Sequence, residues 1–169
     1  MEEIKREPVT ALLILLNTLI FLIVEFTGGS ENGQHMLECG AVYAPLIIEQ
    51  GQWYRMITSM FLHFGAPHLI NNMLVLFVLG QRLEPVTGKM KFLLIYILGG
   101  LGGNLISLIW DMRTGNYSLS AGASGAVFAV MVVFNIGPEV IISADTGATI
   151  VDLCGTLFCI VVAFSFILF

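Results

Sequence analysis

Charged side chains are scarce in this chain of 169 residues: Asp, Glu, Lys and Arg together make up 11%. A soluble domain carries about 25%. That shortfall, with 57% hydrophobic residues and a mean hydropathy of +0.90, places the chain in a lipid bilayer. Basic runs are missing too, and no basic and aromatic residues interleave, so no nucleic-acid partner is expected. The net charge of −5 is spread over too little polar surface to point to any partner. Three cysteines, Cys39, Cys154 and Cys159, are too few and too scattered for a disulfide framework or a metal site. Cys39 falls in a polar loop, and the other two are small packing residues of an apolar run. No metal and no cofactor is expected. Residues 1–7 are too acidic for a signal peptide, and the apolar run behind them lacks a cleavage site, so that run is read as a retained anchor.

What the chain does have is long apolar runs. A spanning helix needs about 20 mostly apolar residues. Candidates run from Val9 to Phe26, from about His68 through a short stretch with asparagines in its first turns, and from Met90 to Trp110. A fourth opens at Ala121-Gly122-Ala123-Ser124 and fades at Pro138, and a fifth runs from Ile150 to Phe169. Lys5, Arg6, Arg82, Lys89 and Lys91 flank one side of these spans, against Arg55 and Arg113 on the other. The side richer in Lys and Arg is cytoplasmic. Residues 1–8 are therefore expected to be a cytoplasmic segment and residues 27–67 a long outward-facing first loop. The start of the fourth span faces outward. The chain is expected to be a multi-pass protein, with the plasma membrane as its location and no oligomeric state assigned.

Polar side chains at membrane depth are costly, so they are informative. Pro67 suits the first position of a helix, which places His68 in its first turn. Asn72, four residues on, shares a face with His68. Two donors aimed at one place suit a developing oxyanion, where each is worth about 3 kcal/mol of barrier. The same pair also suits hydrogen bonding to a neighbouring helix. Ser124 carries a parallel ambiguity. The pairs Gly122/Ala126 and Gly125/Ala129 form a small-residue packing signature. Yet a hydroxyl at a helix N-terminus, where backbone N–H groups are free and glycines leave room, also suits attack on a carbonyl. Neither pair of readings is decided by the residues alone.

A serine hydroxyl needs a general base. The three histidines, His35, His63 and His68, all precede Ser124. His35 lies in a Gly-rich loop and is expected to be solvated. His63 stands close enough to His68 to share a hydrogen-bond network. Either is a candidate base, and the sequence does not choose between them.

Taken together, Trp53 to Glu84 ("WYRMITSMFLHFGAPHLINNMLVLFVLGQRLE") and Gly122 to Phe128 ("GASGAVF") resemble the rhomboid family of intramembrane serine proteases. The resemblance implies an all-α, polytopic helical bundle with about five of six core transmembrane helices in residues 1–169, a single membrane domain incomplete at its C-terminus. It makes Ser124 the nucleophile and Gly122 and Gly125 its flanking glycines. It makes His68, Asn72 and the Ser124 N–H the oxyanion donors. Trp53 and Arg55 match the Trp-Arg element of the first loop, with Tyr54 between them. Glu84 matches a structural acid at the cytoplasmic end of the second span, and His63 a buried histidine that braces the loop.

The same resemblance places the base on a last core helix, as a histidine followed by glycines. No histidine follows Ser124 here. Phe128 stands where some members carry a Tyr beside that histidine. The expectation is therefore a serine endopeptidase that cleaves transmembrane segments through a Ser-His dyad, its histidine beyond these 169 residues, which alone are inactive. The alternative is a catalytically inactive rhomboid-like protein that binds or sorts membrane clients.

Overall fold

The computed structural model describes residues 7–136. The fold is all-α, with an isolated antiparallel bridge between Val42 and Ser120 as the single extended pairing among the described residues. Helix α1 (Pro8–Gly28) opens on a proline, whose fixed φ and missing N–H suit a first helical position. Its 21 residues extend about 31 Å, enough to cross a hydrocarbon core of about 30 Å. Hydroxyls inside it are satisfied locally: Thr18 donates to the Ile14 carbonyl and Thr27 to that of Ile23. The expected cytoplasmic segment therefore gives up its last residue, Pro8, to the helix.

The segment expected as the long first loop, residues 27–67, carries short helices: between the end of α1 and the start of the next long helix lie α2 (Gly33–Glu38), α3 (Ala44–Ile48), α4 (Arg55–Thr58) and a 3-10 turn (Ser59–Phe61). Asn32 caps α2 by accepting from the N–H groups of Gln34 and His35. His35 is consequently a half-buried helical residue, its Nε2 3.0 Å from Thr27 Oγ1, and not a solvated loop residue. Cys39 follows directly, with its sulfur 3.5 Å from the same nitrogen. Burial, and secondly the adjacent Glu38, push its thiol pKa up, away from reactivity.

The second span is longer than its asparagine-rich start suggested. Helix α5 (Gly65–Thr87) has 23 residues, and Pro85 sits in its last turn. It meets the α4 segment at a bend of 88°. Gly65, at φ +75°, makes that corner in a conformation side chains rarely adopt. Helix α6 (Lys89–Thr114) is the longest among the described residues, which end within α7 (Ser124–Ile136). By length and composition α1 and α6 are each long and apolar enough to cross a membrane, and the α4–α5 pair passes the same test when taken together. Helix α7 begins at Ser124, three residues later than the small-residue motif suggested. The expected fifth span, with Asp152, Cys154 and Cys159, lies outside the described residues.

Packing reverses the pattern of a soluble protein. The buried line of α1 is Thr10, Leu13, Asn17, Phe21 and Val24, while Leu12, Leu19 and Ile23 point outward. The buried line of α6 is Phe92, Tyr96, Gly100, Asn104, Leu108 and Asp111. Lipid is as apolar as leucine, so polar and small residues mark the inside. Asn17 donates from Nδ2 to Tyr96 Oη at 3.2 Å, joining α1 to α6. At one end of the bundle the buried Glu84 carboxylate accepts from the backbone N–H groups of Val9 (3.0 Å) and Thr10 (2.8 Å) and from the Thr10 hydroxyl (2.7 Å). Glu84 thereby caps α1 from α5. Arg82, Lys89 and Lys91 share that end, and Arg55 and Arg113 lie toward the other, as the sequence divided them.

Candidate active site

Glycine contacts set the depth of Ser124. Helix α7 packs chiefly on α6, and a methyl group at Gly125 would lie 3.3 Å from Gly103 Cα and 3.3 Å from the Gly99 carbonyl oxygen. One at Gly99 would overlap Ala129 Cβ. The backbones touch because no side chain intervenes. Gly103 lies about 16 Å along α6 from its Thr114 end, so Ser124 is sunk well inside the span.

The two small-residue pairs in the motif thus separate. Gly125 and Ala129 serve helix packing. Gly122 lies before the helix, at φ +144°, and faces α5. A methyl group there would stand 2.7 Å from His68 Cε1, 3.1 Å from His68 Nε2 and 3.7 Å from Ser124 Oγ. The imidazole and the hydroxyl therefore border one small space, which only glycine leaves open. Ser124 is half-buried, and Asn72 is buried one turn along α5 from His68. One N–H of the Asn72 amide donates to the His68 carbonyl at 3.2 Å, which leaves the second for another acceptor.

The backbone before Ser124 is held by the first loop. The Gly122 N–H donates to the Ser59 carbonyl at 2.9 Å, and the Ala123 N–H to His63 Nε2 at 3.4 Å. As the first helical residue, Ser124 has no intrahelical acceptor for its own N–H. That N–H is a ready anion donor. The contact with Ala123 also separates the two histidines left open as bases. His63 is 1% exposed, its Nε2 is already accepting, and its ring lies edge-on to His68 at 5.2 Å between centroids. It braces the segment and has no lone pair to offer at Nε2. His35 is tied to α1 and α2 and is not part of this cluster.

The remaining expected residues lie outside this cluster or at its border. Arg55 is buried and donates from Nη1 to the carbonyls of Leu37 (2.7 Å) and Ala41 (2.9 Å), and from Nε to Gln52 Oε1 (2.7 Å). It ties α2 to α4. Trp53 is 55% exposed, beside the exposed Tyr54 and Ile57. Phe128 is half-buried one turn after Ser124. Glu84 stands at the far end of α5 and takes no part in this cluster. Two residues escaped the sequence reading: Ser59 and Asn104, both buried and bonded to each other. Asn104 had a signal, an amide inside an apolar run, but Ser59 had none.

Comparison with known proteins shows the family. The model of the Rhomboid domain matches residues 50–168. The chain belongs to the rhomboid family. It is 38% identical over 122 residues to rhomboid protease GluP of Bacillus subtilis, covering 72% of this chain and 23% of that protein. It is 34% identical over 134 residues to rhomboid protease AarA of Providencia stuartii, covering 72% of this chain and 47% of that protein. It is also 39% identical over 85 residues to RHOMBOID-like protein 5 of Arabidopsis thaliana, covering 50% of this chain and 27% of that protein. This rhomboid chain thus spans less than half the length of these relatives.

Proposed function

We propose that this rhomboid chain carries the nucleophile and oxyanion site of an intramembrane serine endopeptidase acting on transmembrane segments of other proteins. The observation that carries the reading is the small space shared by His68 and Ser124 over Gly122. Ser124 Oγ attacks the scissile carbonyl carbon, and its proton passes to a histidine. The negative charge on the carbonyl oxygen is met by His68, the free N–H of Asn72 and the Ser124 backbone N–H. Collapse of the tetrahedral intermediate breaks the C–N bond as the histidine returns the proton to the leaving amine. Water, deprotonated by the same histidine, then hydrolyses the acyl-enzyme and restores the serine.

The three histidines of these residues are otherwise committed: His35 at α1 and α2, His63 on Ala123, and His68 on the oxyanion. We assign the base, as the rhomboid resemblance implies, to a histidine outside these 169 residues, which we read as part of one rhomboid membrane domain and as inactive by themselves. General-base help is worth about 10²–10⁴-fold, so its absence leaves the serine inert. The division of Lys and Arg supports a cytoplasmic N-terminus with the Ser124 end facing outward, and we place the protein in the plasma membrane.

The test is cleavage of a transmembrane substrate by the full-length protein in proteoliposomes. The expected result is cleavage that Ser124→Ala abolishes. Cleavage that survives Ser124→Ala overturns the mechanism, and no cleavage by the unaltered protein favours a client-binding rhomboid-like protein. Orientation has its own check. A cysteine replacing Gly33 should react with an impermeant maleimide added outside intact cells, and one replacing Lys89 should not. The reverse pattern overturns the topology.

A further inference from the structure

Between α6 and Ser124 runs a chain of buried hydrogen bonds that the proposed chemistry does not use. Asn104, 8% exposed, donates from Nδ2 to the Met56 carbonyl at 2.8 Å and to Ser59 Oγ at 2.9 Å. Ser59 is fully buried, and its own carbonyl accepts the Gly122 N–H at 2.9 Å. One amide in mid-span thus holds the end of α4 and the 3-10 turn, and through that turn the residue two before Ser124.

The same face of α6 fixes the other side of the serine. Gly99 and Gly103 meet the backbone of Gly125, and a methyl group at Gly100 would overlap Met60, the residue after Ser59. Gly125 is therefore set by backbone contact, and Gly122 by the hydrogen-bond chain. Ser124 lies between these two anchors. Without the amide, the glycine contact would still hold α7 against α6. The strand of backbone before the helix would lose the partner that fixes the 3-10 turn, and Gly122 moves with that turn.

We propose that Asn104 and Ser59 are positioning residues for Ser124, holding the Gly122 backbone so that the hydroxyl faces His68. The proposal rests on the reading of Ser124 as nucleophile. Neither side chain touches substrate, so their loss should act on turnover and leave substrate binding alone. Displacing a reacting group by about 1 Å costs on the order of 10²-fold in rate. A role limited to gluing helices together predicts otherwise: fewer folded molecules, each of normal turnover.

The experiment uses the full-length protein in proteoliposomes with a transmembrane substrate, with rates normalised to the folded fraction. Ser59→Ala and Asn104→Leu should each lower kcat by about 10- to 100-fold, with KM changed by less than about twofold. The double variant should be no slower than the slower single, because both break one chain. Ser59→Thr, which keeps the hydroxyl, should retain kcat to within about threefold. Should Asn104→Leu fail to fold, Ser59→Ala against Ser59→Thr decides alone. The proposal is overturned if kcat per folded enzyme is unchanged, if the loss lies wholly in KM, or if Thr fails to rescue. If cleavage is absent in the unaltered protein or survives Ser124→Ala, the serine-protease reading falls and takes the positioning role with it. If cleavage depends on Ser124 and the variants keep kcat, only the positioning role falls.

Discussion

The two ends of α5 spend polar side chains in opposite ways. At the Glu84 end a buried carboxylate accepts three hydrogen bonds from α1. Gly80, one turn earlier, lets Thr10 come so close that a methyl group would stand 2.5 Å from its hydroxyl. At the His68 end another glycine, Gly122, admits another polar side chain just as closely. There the polar groups keep spare capacity: one N–H of Asn72, the N–H of Ser124 and its hydroxyl. A buried group with all its bonds made fixes a structure, whereas a donor left over can take a further partner. One end is a clasp, and the other is the one we propose as the site of chemistry.

Substitutions should separate the two ends cleanly. Asn72→Ala in the full-length protein should lower turnover by about 10- to 1,000-fold, the range for one lost oxyanion donor, with its melting temperature in detergent nearly unchanged. Unchanged turnover would remove Asn72 from the site. Glu84→Ala should do the reverse. It strands two backbone N–H groups of α1 and costs on the order of 3 kcal/mol, read by denaturation in mixed detergent, while the folded fraction keeps its turnover. If activity per folded molecule fell instead, the two ends would be coupled in a way the hydrogen bonds do not indicate.

Smaller effects test the glycine contacts. Gly103→Val pushes into Gly125 Cα, 3.1 Å from the added carbon, and should destabilise by about 1–3 kcal/mol as α7 is forced from α6. Its neighbour Gly102 meets nothing within 4 Å. Gly102→Ala should therefore stabilise the helix by up to about 1 kcal/mol. Equal behaviour of the two would mean that α7 does not lie on the Gly103 face.

The sequence made some of this legible and hid the rest for physical reasons. Helices α1 and α6 could be read to within a few residues because a bilayer demands a long apolar run. The polar positions His68, Asn72 and Ser124 stood out against that background. The small helices of residues 33–61 did not, since each is too short for a periodic pattern and is held by distant partners such as Arg55 on Leu37 and Ala41. The start of α7 lies three residues later than the motif suggests because Gly122 and Ala123 spend their N–H groups on Ser59 and His63, sixty or more residues away in sequence. The sunken depth of Ser124 was invisible for the same reason: it follows from which glycines of α6 it meets. His63 and His68 looked equivalent until the Ala123 contact occupied one of them.

The most direct test of the account is chemical labelling of the full-length protein in its own membrane with a fluorophosphonate, followed by peptide mapping. One adduct is expected, on Ser124 Oγ, lost in Ser124→Ala and formed in parallel with the loss of substrate cleavage. An adduct on a different serine, or cleavage that continues while Ser124 stays unmodified, would contradict it.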